Sequence, residues 1–512
     1  MTRLSERRSE RRSTTPRQVP WRRLTNPYPP MRVISDDQVE AIHEASMEIL
    51  ETLGLEILDD GALDRLAREG QSVDHATKRV RLDRNWVLER IASAPGEAVL
   101  HARNPERWVA IGGDHIVFAP VGGPPNCHDM ERGRRPGNSA DLADLIRLAQ
   151  AINCLHTVSS GMLAAQDLDG RTRHLDAYLA VATLSDKVAS CSLLGAERAL
   201  DGIIMNALAR GLTLEEMRQQ PGLFGGINTN SPLRVDGPMI QGLTTMVEHG
   251  QVVVVTPFTL AGAMGPVTLA GALAQQNAEA LAMLAYAQML SPGTPVVYGS
   301  FTSNVDMKSG APAFGTPEYA KSTIAGGQLA QRYRLPYRTS NCTASNIVDA
   351  QAAYESQMSL WPAVTGHGNL IFHAAGWLEG GLVASFEKLV VDAEQLQMMG
   401  EFLQPITTSR EDFAFDALAE VGPGGHFFAA QHTIQRYEKA FYAPLVSDWR
   451  SYQAWEAAGA RTATDRAQRI YKALLASFEP PPLDPGRREA LEDYVARRKR
   501  DYGPGGRQAA VG

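Results

Sequence analysis

The sequence predicts an α/β fold: a closed (β/α)8 barrel of the TIM type, with an N-terminal α+β extension and C-terminal helices. Three observations predict it. From about residue 140 onward, short apolar runs alternate with amphipathic helical stretches, the pattern of parallel strands buried on both faces. Eight such runs recur at intervals of roughly 30 to 45 residues, the number that closes a barrel. The competing open, doubly wound sheet would carry a glycine-rich nucleotide turn, and neither GxGxxG nor a Walker loop is present.

The elements follow in order. The start, "MTRLSERRSERRSTTPRQVPWRR", is rich in arginine and has no apolar core, so it is not a secretory signal. Its composition predicts a disordered, solvated basic tail over 1–30. Residues 31–135 predict an N-terminal α+β layer. Ser35 is placed to cap a helix over 35–54 that carries Val39, Ile42, Ile49 and Leu50 on one face, and Gly54 is placed to stop it. A helix near 61–69, a strand near 78–82 and a helix near 84–93 come next. "WVAIGGDHIVFAP" (108–120) predicts a hairpin turning at Gly112-Gly113.

The barrel is expected over 136–435. Its predicted strands are "LHTVSSGM" (155–162), "VASCSLLGA" (188–196), "GLFGGINTNSP" (222–232), "QVVVVTPFTLAGAMGP" (251–266), "TPVVYGSFTSN" (294–304), "PYRTSNCTAS" (336–345), "NLIFHAAGWLEGG" (369–381) and the weaker "DALAEVGPGGHFF" (416–428). A helical extension is expected over 436–512.

The bulk numbers narrow the function classes. With 512 residues, 44% of them hydrophobic and 21% charged, the chain can bury a large core. A formal net charge of -7 argues against a general nucleic-acid binder. The four cysteines (Cys127, Cys154, Cys191, Cys342) are widely spaced and form no CxxC, which fits a reducing cytoplasm. No run approaches the roughly 18 apolar residues of a membrane-spanning helix. "CHD" at 127–129 and the pair His426 and His432 match no strong ligand spacing, so no metal is expected.

In such barrels the site lies at the C-terminal strand ends. Here those ends hold Ser159-Ser160, Ser190–Ser192, Asn228–Asn230, Thr256, Tyr298–Ser303, Thr339–Ser345 and His373. They predict one polar mouth. No Ser-His-Asp signature or HExxH stands out.

Several blocks carry a resemblance. "TLAGAMGPVTLAGALAQQNAEALA" (259–282), "SNVDMKSGAPAFGTPE" (303–318), "DAQAAYE" (349–355), "AAGWLEGGLVASFEKLVVDAE" (374–394) and "GPGGHFFAAQHT" (422–433) resemble the trimethylamine methyltransferase family, in order, from about 30 to 500. The resemblance implies an eight-fold barrel and a corrinoid-dependent methyltransferase. Archaeal members carry pyrrolysine just before a DAQAGYE-like block. The matching window here, Cys342, Thr343, Ala344, Ser345 and Asn346, holds only ordinary residues. That places the chain with the non-pyrrolysine branch, which includes enzymes that demethylate glycine betaine. The implied reaction moves a methyl group from a quaternary amine to the cobalt(I) of a corrinoid (cobalamin) supplied by a small partner protein, with no cofactor held tightly by the chain itself. Two alternatives stay open: a trimethylamine–corrinoid methyltransferase lacking pyrrolysine, and a non-catalytic barrel that binds a quaternary amine.

A quaternary cation is usually held over aromatic faces. The candidates are Tyr298, Phe301, Tyr354, Phe372 and Trp377. Arg338, Lys308 or Asn304 could hold a betaine carboxylate. Glu355 and Glu379 could supply negative charge, and His373 sits at a polar strand end. The small side chains after Thr339 are expected to leave room for a bulky quaternary amine. Neither nucleic acid nor a membrane is expected as a partner, and a homo-oligomer is possible.

Overall fold

The computed structural model describes residues 16–502. Eight parallel strands ring its core: β1 (His115–Phe118), β2 (Thr157–Ser159), β3 (Val188–Ser192), β4 (Leu223–Ile227), β5 (Val252–Val255), β6 (Val296–Gly299), β7 (Tyr337–Ser340) and β8 (Leu370–Phe372). Each is followed by a helix: α1 (Ser139–Ala151), α2 (Arg173–Leu184), α3 (Ala196–Arg210), α4 (Gly237–Glu248), α5 (Leu269–Leu290), α6 (Pro317–Tyr333), α7 (Ala350–Thr365) and α8 (Phe386–Phe402).

The strand count is the expected one, but the membership shifts by one place. His115–Phe118, expected as half of a hairpin in the N-terminal layer, is β1 and pairs in parallel with β8. The turn at Gly112-Gly113 exists, yet Val109–Gly112 pairs backwards with Glu97–Leu100 instead. Conversely, 416–428 is no strand: it forms a helix over Phe415–Val421 and a short 3-10 turn. Its only β-branched residue is Val421, and glycine and proline follow at once over Gly422–Gly425.

Alternation along the strands sorts their side chains. Val117, Val188, Phe224, Val252, Val254, Val297 and Leu370 point inward into one cluster. Ile116, Val158, Val253, Tyr298, Tyr337 and Ile371 point outward against the helices. The Glu97–Gly112 hairpin closes the N-terminal end of the barrel, with Ala98, Leu100, Val109 and Ile111 in the inner cluster.

The ring is sealed between β1 and β2 by a backbone bond, His156 N–H to Phe118 O at 2.9 Å, and by a side chain. The Phe118 N–H donates to His156 Nδ1 at 2.9 Å, so Nε2 carries the proton and donates to Arg22 O at 3.1 Å. Burial pushes the His156 imidazole down to about 4, so it stays neutral. Residues 16–30, expected within a solvated tail, instead lie along this seam: Leu24–Thr25 adds to β1 as an antiparallel strand, and Asn26 donates to Val364 O. The remainder of that tail, 1–15, lies outside the described residues.

The N-terminal helix begins at Asp36 with Ser35 in a capping box. At Gly54 the backbone has a φ of 65°, and a Cβ would sit 2.1 Å from Val80 O, so only glycine fits. In the C-terminal extension, the helix Pro485–Asp501 docks on α2 and α3. There buried Asp201 accepts from Tyr494 Oη and Arg498 Nε, each at 2.7 Å, and from His174 Nε2 at 2.9 Å. Among the described residues, no helix is long and apolar enough to cross a membrane.

Candidate active site

At the C-terminal end of the barrel the inward rows open into a cavity of about 380 Å³. Ser159, Ser190, Asn228 and Thr256 line it from β2 to β5, and Phe224 and Phe372 lie low in it, 5.8 Å apart. Past the barrel, β5 and β6 each resume after a break: Phe258–Ala261 pairs in parallel with Phe301–Val305. This raised lip brings Phe258 and Phe301 together, ring centroids 4.9 Å apart. Trp377, on the loop after β8, stands edge-on to Phe301 at 6.3 Å. Gly122 and Gly123 add bare backbone to the wall, as do Gly380 and Gly381 beside Trp377. At Gly381 a Cβ would strike the Trp377 indole at 2.5 Å.

Arg338 points into this cavity from β7 and is only 3% exposed. Its guanidinium lies 4.5 Å from the Phe372 ring centroid and 5.1 Å from that of Phe301. Nε and Nη1 have no hydrogen-bond partner among the described residues, and no carboxylate there lines the cavity. Burial pulls the Arg338 pKa down to about 10, which leaves it charged at neutral pH. Burial, then the Arg338 charge, holds His373 well below the usual imidazole range, so it is neutral. The Cys191 thiol points outward from β3 against Met246, Sγ to Sδ 3.9 Å, and burial pushes it up to about 12.

The loop carrying Trp377 is strained. His373 and Glu379 have φ of 52° and 51°, a region costly for non-glycine residues. The stretch after β7 holds it in place. Asn341 Nδ2 donates to Ala374 O at 3.0 Å, Gly380 N–H to Thr343 O at 3.1 Å, and Glu379 N–H to Ser345 O at 2.9 Å. Glu355 on α7 pins that stretch in turn, accepting from Ala344 N–H at 2.8 Å, Ser345 N–H at 2.9 Å and the Thr343 hydroxyl. On the far side, buried Asp392, paired with Lys388, accepts the Gly376 N–H at 2.9 Å.

The family model described as Trimethylamine methyltransferase (MTTB) matches residues 2–503. The chain belongs to the trimethylamine methyltransferase family. It is 38% identical over 476 residues to a glycine betaine methyltransferase of Desulfitobacterium hafniense (strain Y51), covering 93% of this chain and 98% of that protein. To the trimethylamine methyltransferase MttB of Desulfitobacterium hafniense (strain DSM 10664 / DCB-2) it is 28% identical, covering 92% and 94%. The crystal structure of the Methanosarcina barkeri monomethylamine methyltransferase (MtmB) superposes with a TM-score of 0.51 at 11% identity, covering 90% of this chain and 88% of that one, and so shares the fold.

In this member of the trimethylamine methyltransferase family, the residues singled out from the sequence divide sharply. Phe301, Arg338, Phe372, His373 and Trp377 line the cavity. Tyr298 does not: it faces outward from β6, where its hydroxyl donates to Asn277 Oδ1 at 2.9 Å. Tyr354 is 57% exposed on α7. Asn304 accepts from Thr316 Oγ1 at 3.0 Å, and Lys308 is exposed on the loop after the lip. Glu355 holds a loop, and Glu379 pairs with Arg134 at 3.0 Å. No residue of the pyrrolysine window, Cys342 to Asn346, lines the cavity. Cys342 is fully buried, burial pushes its thiol up to about 12, and Asn346 is exposed. The small residues expected here to make room are not those of the cavity, whose small lining residues include Gly226, the four wall glycines and the serines of β2 and β3. Phe258 and Phe224 escaped the sequence reading. The "TPF" after the valine run signals a strand resuming beyond Pro257, which would have found Phe258. Among the described residues, no group of three or more His, Cys, Asp or Glu could hold a metal ion.

Proposed function

We propose that the chain transfers a methyl group from a quaternary ammonium compound to the cobalt of a corrinoid carried by a small partner protein. One observation carries this reading: the cavity at the barrel mouth is walled by Phe258, Phe301, Phe372 and Trp377, and no Asp or Glu is among its described lining residues. Aromatic faces bind a permanent cation at about 0.5–2 kcal/mol per contact. A quaternary nitrogen leaves as a neutral tertiary amine and keeps the electron pair of the broken N–C bond. No proton has to move, which suits a neutral His373.

The protein's contribution is then position and dryness. The rings hold the nitrogen while one methyl faces the opening. Bound on its partner, the corrinoid supplies cobalt(I), a strong nucleophile, as methyl acceptor. A corrin is far larger than the 380 Å³ cavity, so it stays at the mouth. The wall there suits a flat visitor: a Cβ on Gly123 would meet nothing within 4 Å. Leu382, Met307 and Val267, at 53%, 70% and 69% exposure, lie on the surrounding loops as apolar contacts. Four buried free cysteines fit a cytoplasmic location.

The higher identity to a glycine betaine methyltransferase supports betaine over trimethylamine as donor. The test is a panel: protein, reduced cobalamin, and a set of methylamines and betaines, with methylated corrinoid followed by absorbance. Turnover with a betaine and none with trimethylamine is the expected result. The reverse pattern overturns the choice of donor. Binding without transfer, even to the cognate corrinoid protein, identifies a non-catalytic barrel.

A further inference from the structure

We propose that Arg338 is the receptor for a carboxylate on the substrate, so that the site admits short zwitterions and rejects methylated cations at large. The inference rests on the methyl-transfer reading for what happens at the mouth, and it adds which quaternary amines qualify.

The starting point is a guanidinium that the fold leaves without a partner. Arg135, which is less deeply placed, meets Asp129 at 2.9 Å and Asp141 at 2.7 Å. Arg338 has only ring faces. A buried charge without a counter-ion is costly, and a structural arginine in this position would be given an acceptor. Here two of its nitrogens have none, and the side chain borders an open cavity free of Asp and Glu among the described residues. A planar fork of donors suits a carboxylate above other anions of that size, because both oxygens can be met at once.

The register fixes the orientation. Arg338 pairs with Gly299 on β6 and Leu370 on β8, while Phe301 and Phe372 stand two residues further along those strands. That is a rise of about 6–7 Å. From that lower position the Arg338 side chain rises until its guanidinium lies beside Phe372 and Phe301, 4.5 and 5.1 Å from their ring centroids, which leaves Phe258 and Trp377 to face the methylated nitrogen. A zwitterion with its charges one to a few carbons apart spans the two, carboxylate on Arg338 and methylated nitrogen at those rings. A cation lacking the carboxylate meets the opposite situation. Held about 6 Å from an unneutralised guanidinium, it is repelled by an amount that corresponds to roughly a hundredfold in affinity at an effective dielectric of about 20.

Calorimetry with glycine betaine, choline, tetramethylammonium and acetate decides the matter, on the intact protein and on Arg338→Met. Betaine should bind the unaltered protein ten- to a hundredfold more tightly than choline, and the variant should lose that preference. Comparable binding of choline and betaine to the unaltered protein, or a preference that survives in Arg338→Met, overturns the carboxylate receptor and leaves methyl transfer standing. Acetate binding that is lost in the variant, with no quaternary compound bound by either, supports the receptor and overturns the quaternary-amine reading instead. The ligand-free melt is a second readout. Removing an uncompensated charge should leave the Arg338→Met melting temperature equal or higher, and a clear fall marks Arg338 as a structural residue. Should the variant fail to fold, that failure counts as such a fall.

Discussion

Trp377 reaches the cavity on a turn that its neighbours dislike, with His373 ring centroid 3.9 Å from its own. The indole is the largest ring in the wall, so it should dominate cation binding. Trp377→Leu keeps bulk and removes the π face, and calorimetry should show betaine affinity reduced by about 5- to 30-fold, in line with roughly 1–2 kcal/mol. At this scale the sequence was half legible. Residue type and position near a strand end found Phe301, Phe372 and Trp377. They could not separate Tyr298 from them, because one step along a strand turns a side chain from the cavity to the helix layer. Val297 faces in and Tyr298 faces out, and only the register of β6 with β7 fixes which is which. Arg338 was one of three donors considered. Its lack of a partner is a three-dimensional fact that no spacing reveals.

Between elements, two supports carry the site. The polar run after β7 binds the Trp377 loop, and Glu355 binds the run. Glu355→Ala strips an acceptor from the half-buried Ala344 N–H and the buried Ser345 N–H, so urea titration should show a loss of about 3 kcal/mol. Betaine affinity should fall with it, whereas Glu355→Gln should recover part of both. The second support is the barrel seam. His156 titrates at about 4 in the fold and near 6.5 in the unfolded chain, so the unfolded state takes up protons first as pH falls. The seam's contribution is complete above pH 6.5 and declines by about 1.4 kcal/mol per pH unit down to about 4. Chemical denaturation between pH 7 and pH 4 should show that slope, and His156→Gln should reduce it. The N-terminal helix was among the most readable elements: it starts after Ser35 as the cap predicted, buries Val39 and Ile42, and its helical turns run to Leu53, just before Gly54. The seam was unreadable, since His156 sits in an apolar run with nothing local to mark it as a side-chain acceptor for a strand.

For the whole molecule, the eight-fold repeat was legible and its phase was not. β1 has no barrel helix before it, and the two glycines ahead of it invite a hairpin reading; its pairing with β8 spans the length of the barrel. The final helix shows the same long reach. Asp201 anchors Tyr494, Arg498 and His174, so Asp201→Ala should cost about 3–5 kcal/mol by urea titration, with the C-terminal helix exchanging its amide hydrogens first. One further trait shapes how the molecule would work through a cycle. The Glu97–Gly112 hairpin stoppers the barrel's lower end. Under the proposed function, donor and corrinoid carrier both use the open mouth, so loading precedes docking and undocking precedes product exit. Surplus carrier should accordingly slow turnover, by sitting on vacant or spent enzyme like a lid on an empty jar.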